Sequence, residues 1–432
     1  MALLAKRMSQ IGTENAFKIG PYIRSVEQAG HKVIKCNLGE PDFALPAHIR
    51  EEVKAQLDAD NTHYCDPQGI LPLRTAVANH LSRTRGLSIT ADRVVVFPGA
   101  KPPIGFCQHA YLDDGDEVIY PSPGFPIYES FARYVGAVPA PLHLQEEKGF
   151  AFGGNDLASL ITKRTKLIIL NFPSNPTGGV ASREQLRELA DVISTRTSED
   201  VRVYSDEVYE DILFDGAQHR SIASVAGMER RTVLVSGVSK SFAWTGGRVG
   251  WAAFPTAEEA AAFKNLNINY FSCVPAYNQE GARVGLESPK SAPWIASMVS
   301  AFQERRDLVV EGLNGIEGVS CQKPCGAFYV FPNIAGLCER LGVFRELAGL
   351  GESVRRQTSP STLFQMFLLF RHHVATMDRR SFGRIGSEGR HFLRISIATG
   401  TEELREALSR IENAAADRAG FAEFVAKGEH LF

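Results

Sequence analysis

Between residues 93 and 254 the chain repeats one pattern: the β-branched runs "RVVVF" (93–97), "DEVIY" (116–120), "KLIIL" (166–170), "VRVYS" (201–205), "TVLVS" (232–236) and "VGWAAF" (249–254) alternate with stretches long enough for helices. Strands separated by helix-length connections cross over and run parallel. Their near-continuous apolar character places them in a buried sheet covered by helices on both faces. The pattern predicts an α/β domain whose ligands sit beyond the carboxyl ends of the strands.

The chain has 432 residues, more than the roughly 250–300 at which a single core stops growing, so a second lobe is expected. "WIASMVSAFQERRDLVVEGLNGI" reads as a long helix leading into it. Beyond lie "PCGAFYVFP" (324–332), "HFLRISIATG" (391–400) and a closing helix from "TEELREALSRIENAAADRA". This mixture predicts a smaller α+β domain. At the other end, "FKIGPYIRSVEQAGHKVIKCNLGEPDF" reads as a helix running into an extended turn. Residues 337–372 follow no legible pattern.

Lys+Arg 47 against Asp+Glu 49 gives a formal charge of -2. Such a balance offers no footprint for nucleic acid or an acidic membrane surface. The seven cysteines are scattered, form no CxxC or His/Cys metal spacing, and fit a reducing compartment. No metal is expected. The apolar run at residues 2–5 meets Lys6 and Arg7 at once, too short for a secretory signal, and no run reaches the ~20 residues of a membrane span. These features predict a cytoplasmic protein.

The chemistry concentrates in "VSKSFAWTGGRVGW" (238–251). A lysine in a desolvated turn loses basicity and becomes a nucleophile toward aldehydes. Arg248, eight residues after Lys240, suits a phosphate, with Ser236 and Ser239 as further donors. A phosphorylated aldehyde meets both demands, and pyridoxal phosphate is one. That cofactor needs a buried carboxylate at its ring nitrogen, and Asp206 of "YSDEVYEDI" is available. Its ring oxygen needs donors, for which Asn175 of "NFPSNPTGGV" and Tyr209 are candidates. Phe125 of "PSPGFPIYE" offers a stacking face, and Gly99, Ala100 and Lys101 of "PGAK" offer backbone N–H groups to phosphate at a helix start.

Taken together and in order, "LGEPDF", "GAK", "NPTG", "DEVY", "SK" with "GGR", and "RISIA" resemble the class I/II pyridoxal-phosphate aminotransferases of the aspartate aminotransferase fold (fold type I), over about residues 11 to 412. The resemblance implies a mostly parallel seven-stranded sheet between helices in a large domain (48–290), and a discontinuous small domain (1–47 and 291–432). It implies that Lys240 is linked to the cofactor and shuttles the substrate proton, with Asp206 on the ring nitrogen, Asn175 and Tyr209 on the ring oxygen and Arg248 on the phosphate. Arg394 would clamp the substrate α-carboxylate, with Gly39 adding a backbone contact. Tyr64 of "HYCDPQGILPLR" resembles the tyrosine that reaches the neighbouring subunit's phosphate, which implies a homodimer with composite sites. The implied reaction exchanges an amino group between an L-amino acid and a 2-oxo acid by a ping-pong cycle.

Three departures from the family pattern bear on the site. Gly247 stands where many relatives have tryptophan, which is expected to leave space at the mouth. Gly237 replaces a serine found in some branches, so Ser236 or Ser239 is expected to serve the phosphate. Arg379 and Arg380 are candidates to face the entrance and attract a second acidic group, and residues 337–372 suit a lid, a dimer contact or an inert insertion. Lys101 is a candidate for a distal carboxylate, with glutamate and 2-oxoglutarate as the default pair. A lyase, synthase or amino-acid oxidase on the same scaffold is the alternative reading, since small pocket differences partition these reactions. A cofactor-binding regulator would need a DNA-binding element or a lost lysine, and the chain shows neither.

Overall fold

The computed structural model describes residues 3–12 and 14–428; Ala2 of the N-terminal apolar run lies outside them. Strand β1 (Ile34–Lys35) belongs to a small sheet. Strands β2 (Val94–Phe97), β3 (Glu117–Ser122), β4 (Val138–His143), β5 (Thr165–Asn171), β6 (Arg202–Asp206), β7 (Thr232–Gly237) and β8 (Gly250–Ala253) form one seven-stranded sheet in the order β2-β8-β7-β6-β5-β3-β4. Strands β3 to β7 pair in parallel, and every residue of β2, β3, β7 and β8 is buried. Six strands match the alternating runs. The seventh, β4, escaped them because Pro139 and Pro141 cannot complete a ladder on both sides, which confines such a strand to the sheet edge it occupies.

β8 alone runs backwards, antiparallel to both β2 and β7. Its reversal therefore leaves β2 and β7 pointing the same way. Gly250, at the start of β8, pairs with Phe97 at the end of β2 and with Gly237 at the end of β7. A Cβ on Gly250 would lie 2.4 Å from the backbone nitrogen of Ala100, and one on Gly237 would lie 2.9 Å from the Cα of Gly250. Glycine lets three chain segments close together at this edge.

The flanking helices begin and end where local chemistry dictates. Leu71–Arg85 starts with Pro72 in its first turn and stops at Gly86, whose φ of 66° is left-handed. Arg183–Arg196 is capped by the Ser182 side chain, which accepts from the Gln185 N–H. The long helix spans Ser291–Asn314. Strands β9 (Tyr329–Val330), β10 (Val374–Ala375), β11 (Met377–Asp378) and β12 (Leu393–Ser396) follow; β1 pairs with β10, and β12 lies between β11 and β9.

Residues 337–372 are neither a lid nor an inert insertion throughout. They contain the helix Pro360–His372, in which Leu363, Phe364, Phe367 and Leu368 are fully buried in the core shared with β9 and β12. No amphipathic stripe marks this helix in the sequence because it is buried on nearly every face, Ser361, Thr362 and Gln365 included.

Below the edge marked by Gly237 lies a buried ionic knot. Arg85 Nε and Nη2 donate to Glu207 Oε2 at 2.9 and 2.7 Å, and Nη2 also pairs with Glu210. His219 bonds Glu207, while the Ser205, Ser221 and Ser236 hydroxyls complete the two carboxylates. Burial alone would raise the Glu207 carboxyl, but Arg85 and His219 outweigh it and hold it down to about 2. Replacing Arg85 with methionine leaves two buried carboxylates without their arginine and is expected to cost about 3–5 kcal/mol in chemical denaturation. Because Glu207 sits below its ordinary 4.5, its contribution is complete above that pH and declines as the pH falls toward about 2; an acid titration of stability checks the sign.

Candidate active site

The carboxyl ends of β2, β3, β5, β6 and β7 and the amino end of β8 open onto one cavity of about 430 Å³. It is lined by Gly39, Ala100, Lys101, Phe125, Asn175, Asp206, Tyr209, Ser239, Lys240, Arg248 and Arg394, all expected from sequence. Gly99 lies directly behind Arg248. Tyr64 does not reach the cavity of its own chain; it is 89% exposed.

Lys240 sits on the one-turn helix Val238–Ser241, which starts at Gly237 and is pinned to the strand opposite by the Val238 N–H donating to Val249 O at 3.1 Å. Its Nζ donates to the Gly39 carbonyl at 2.6 Å and lies 5.9 and 5.8 Å from the ring centroids of Tyr209 and Phe328. Burial, aided by the positive charge of Arg394, lowers its pKa from 10.5 to about 8. A substantial fraction of this amine is therefore neutral and nucleophilic near physiological pH.

Asp206 ends β6 and is 6% exposed. Burial raises its carboxyl to about 6, partly opposed by the Tyr128 hydroxyl, which donates to Oδ2 at 2.6 Å. Such a carboxylate gains from a cationic N–H placed beside it. Tyr128 was missed from sequence, although it lies three residues after Phe125, one helical turn on.

Arg394 comes from β12 and is 4% exposed. Its Nη2 donates to the Asn37 carbonyl at 2.5 Å and its Nη1 to Asn175 Oδ1 at 3.1 Å, while Nε has no partner among the described residues. The guanidinium lies 4.4 Å from the Tyr329 ring centroid and 4.8 Å from that of Phe382. The Tyr329 hydroxyl meets that of Tyr209 at 2.7 Å, and a Cβ on Gly39 would strike it at 2.1 Å. Tyr329 was also missed: "GAFYVF" marked a strand and nothing about its polar end. With Oδ1 committed to Arg394, the Asn175 amide has its Nδ2 hydrogens left to offer.

Arg248 takes a left-handed φ of 52°, and its Nη1 and Nη2 donate to the Thr245 and Pro98 carbonyls at 2.7 and 3.0 Å. Gly99, at φ 90°, passes so close that a Cβ would lie 2.2 Å from Arg248 Nη2. Ala100 and Lys101 then lead into the helix Pro102–Tyr111, whose first two residues are prolines without N–H groups and whose Ile104 N–H donates to the Lys101 carbonyl at 3.1 Å. The Gly99 N–H is likewise taken, by the Phe97 carbonyl at 2.7 Å, which leaves Ala100 and Lys101 as the backbone donors on this wall.

Four expectations change. Ser236 points away from the cavity, donating to Glu210 Oε1 at 2.6 Å, so Ser239 is the serine on the cavity wall. The space left by Gly247 is filled: a Cβ there would lie 2.3 Å from the indole of Trp244, three residues earlier. Arg379 does not face the entrance but is 1% exposed, donating to the Gly383 carbonyl and Ser122 Oγ. Arg380 is likewise turned aside, bonding the Thr358 and Arg356 carbonyls.

The geometry agrees with what the chain is similar to. A profile of the family Aminotransferase class I and II matches residues 31–411. Over 415 residues the chain is 34% identical to an aspartate aminotransferase of Rhizobium meliloti, covering 96% of each. Over 412 residues it is 32% identical to aromatic-amino-acid aminotransferase 2 of Thermococcus litoralis, covering 95% of this chain and 97% of that one. The crystal structure of the aspartate aminotransferase from Rhizobium meliloti superposes with a TM-score of 0.85 at 33% identity, over 96% of this chain and 99% of that chain. The chain belongs to the class I and II aminotransferases. It is a transferase of fold type I that works with pyridoxal phosphate.

The residues present fit that cofactor: a buried carboxylate raised above its usual range, a lysine lowered below its own, and a glycine cradle closed by an arginine. Two outcomes follow. The rate at which cofactor-free protein captures pyridoxal phosphate, read by absorbance, is expected to rise with pH and level off above a midpoint near 8, because the neutral amine attacks. Gly99→Ala combines a left-handed φ with a clash against Arg248, and is expected to weaken retention of the cofactor by roughly tenfold or more in equilibrium dialysis.

Proposed function

We propose that this cavity runs a ping-pong transamination in which an L-amino acid and a 2-oxo acid take turns at one site. The observation that carries the reading is the convergence of Lys240, Asp206, Asn175 and Arg394 on a single cavity. When bound, pyridoxal phosphate supplies an aldehyde for the amino group and an electron sink for the α-carbon.

In this reading Asp206 keeps a proton on the ring nitrogen, and Asn175 and Tyr209 donate to the ring oxygen. Phe125 packs on the ring face. Arg248, Ser239 and the backbone N–H groups of Ala100 and Lys101 hold the phosphate, while Gly99, whose N–H is taken by Phe97, lets the chain pass close to Arg248. Arg394 takes the substrate α-carboxylate with two parallel N–H bonds, Gly39 contributes its backbone, and Lys240 Nζ carries the proton from the substrate α-carbon. The relatives' names support aspartate or an aromatic amino acid as donor; glutamate and 2-oxoglutarate would be the default pair, with Lys101 facing a distal carboxylate.

The site would be completed by a second copy, in the cytoplasm, with no nucleic acid or membrane partner; among the described residues no helix is long and apolar enough to cross a membrane. Tyr64 projects outward, and Leu71, Ile268 and Tyr270 are also exposed large side chains. Asn267 donates to the Pro67 carbonyl at 2.8 Å, tying these segments into one surface. The catalytic lobe would span 48–290, and 1–47 with 291–432 would form the second.

Titrating cofactor-loaded protein with single amino acids and no 2-oxo acid is expected to abolish the visible absorbance band once per site, and to identify the donor. Many turnovers without an acceptor would instead establish a lyase or oxidase. Sedimentation is expected to give twice the mass of one chain, and Tyr64→Phe to loosen cofactor binding while leaving that mass unchanged.

A further inference from the structure

We propose that Glu14 is a built-in surrogate for a substrate carboxylate. It pairs with Lys101 while the cavity holds a substrate with an uncharged side chain, and releases Lys101 to a substrate with a distal carboxylate. The inference rests on the transamination reading above, because only a cycle in which two different substrates share one cavity needs such a device.

Among the described residues lining the cavity the cations are Lys101, Lys240, Arg248 and Arg394. Three are engaged: Lys240 with Gly39, Arg248 with the Pro98 and Thr245 carbonyls, and Arg394 with Asn37 and Asn175. Lys101 is the cation left for a second carboxylate, and it is ion-paired to Glu14. The ammonium lies 5.7 Å from the Phe17 ring centroid and 5.5 Å from that of Phe125. Phe17 and Leu38 extend the same wall.

Two states of this corner follow from its charges. With the pair intact the corner is neutral and flanked by aromatic rings, which suits an aromatic or aliphatic side chain; a substrate carboxylate arriving there meets the like charge of Glu14. Without Glu14, an apolar side chain entering the corner would cover a lone ammonium and strip water from it, which is costly. With Glu14 displaced, a distal carboxylate inherits its ion pair. The exchange costs little on the side of Lys101, which is 45% exposed, while the Glu14 carboxylate, 15% exposed in the pair, regains water as it leaves. Glu14 immediately precedes the one-turn helix Asn15–Lys18, which the Asn15 side chain anchors by donating to Ser381 Oγ at 3.0 Å, so the exchange is a turn of the Glu14 side chain alone.

The test compares Glu14→Gln with the unaltered, cofactor-loaded protein. Calorimetry measures the dissociation constants of succinate, with two carboxylates, and 3-phenylpropanoate, with one carboxylate and a ring. KM and kcat are measured for 2-oxoglutarate and phenylpyruvate as acceptors. Freeing Lys101 is expected to tighten succinate and lower KM for 2-oxoglutarate by roughly five- to tenfold, to weaken 3-phenylpropanoate, and to leave kcat within about twofold. Glu14→Asp, which keeps the charge, is expected to return the ratio of the two ligands toward that of the unaltered protein. Glu14→Ala asks the same question if the glutamine variant does not fold. Equal changes for both ligands, or none, overturn the inference and leave transamination standing. If no amino acid removes the visible band of the unaltered protein, the transamination reading falls and the inference with it.

Discussion

The backward run of β8 is the constraint on which the site depends. Parallel strands deliver only carboxyl ends to the ligand edge, and residues that precede a strand go to the opposite side. Because β8 is antiparallel to both neighbours, Arg248 arrives just ahead of a strand and still meets Gly99, which has just left one. Gly237 and Gly250 make that meeting sterically possible. The short link from β7 through Lys240 to β8 then brings Lys240 and Arg248 to the wall of one cavity.

Electrostatics at the edge is arranged in two layers. Above, Lys240 is driven toward neutrality and Asp206 away from ionisation by the same cause, loss of water. Below, Glu207 and Glu210 stay ionised because Arg85 and the histidines are aimed at them. The segment "DEVYED" supplies both layers within a few residues: Asp206 and Tyr209 face the cavity while Glu207 and Glu210 face the knot. A strand end followed by a turn sends neighbouring side chains to opposite sides.

What was legible in the sequence was what leaves a periodic or local trace. Six strands declared themselves by buried β-branched runs, and the lysine, arginine and carboxylate by their positions just beyond those runs. β4 was lost to its prolines, and the helix Pro360–His372 to its burial on nearly every face. Tyr128, Tyr329 and Glu14 act through contacts with residues 78, 120 and 87 positions away, and no local pattern reports such pairs. Ser236 and Ser239 show the same limit at short range: three residues apart, they face opposite sides because β7 ends between them. Arg379 is a candidate for the entrance on sequence alone because no local pattern shows that the Gly383 carbonyl and the Ser122 hydroxyl take its guanidinium.

The pairing of β1 with β10 joins residues 34–35 to 374–375, and the Ser396 N–H closes onto the Cys36 carbonyl. Arg394 is held by Asn37 in the same seam. During synthesis the first of these partners leaves the ribosome more than three hundred residues before the last, and contacts so distant along a chain form late because their loop entropy must be met first. The most distant pairing in the large sheet, β2 with β8, joins residues 94–97 to 250–253 and so closes a shorter loop. The Asn37 carbonyl that holds Arg394 is in place only once the longer of these two loops has closed, whereas the edge that holds Lys240 and Arg248 needs only the shorter one.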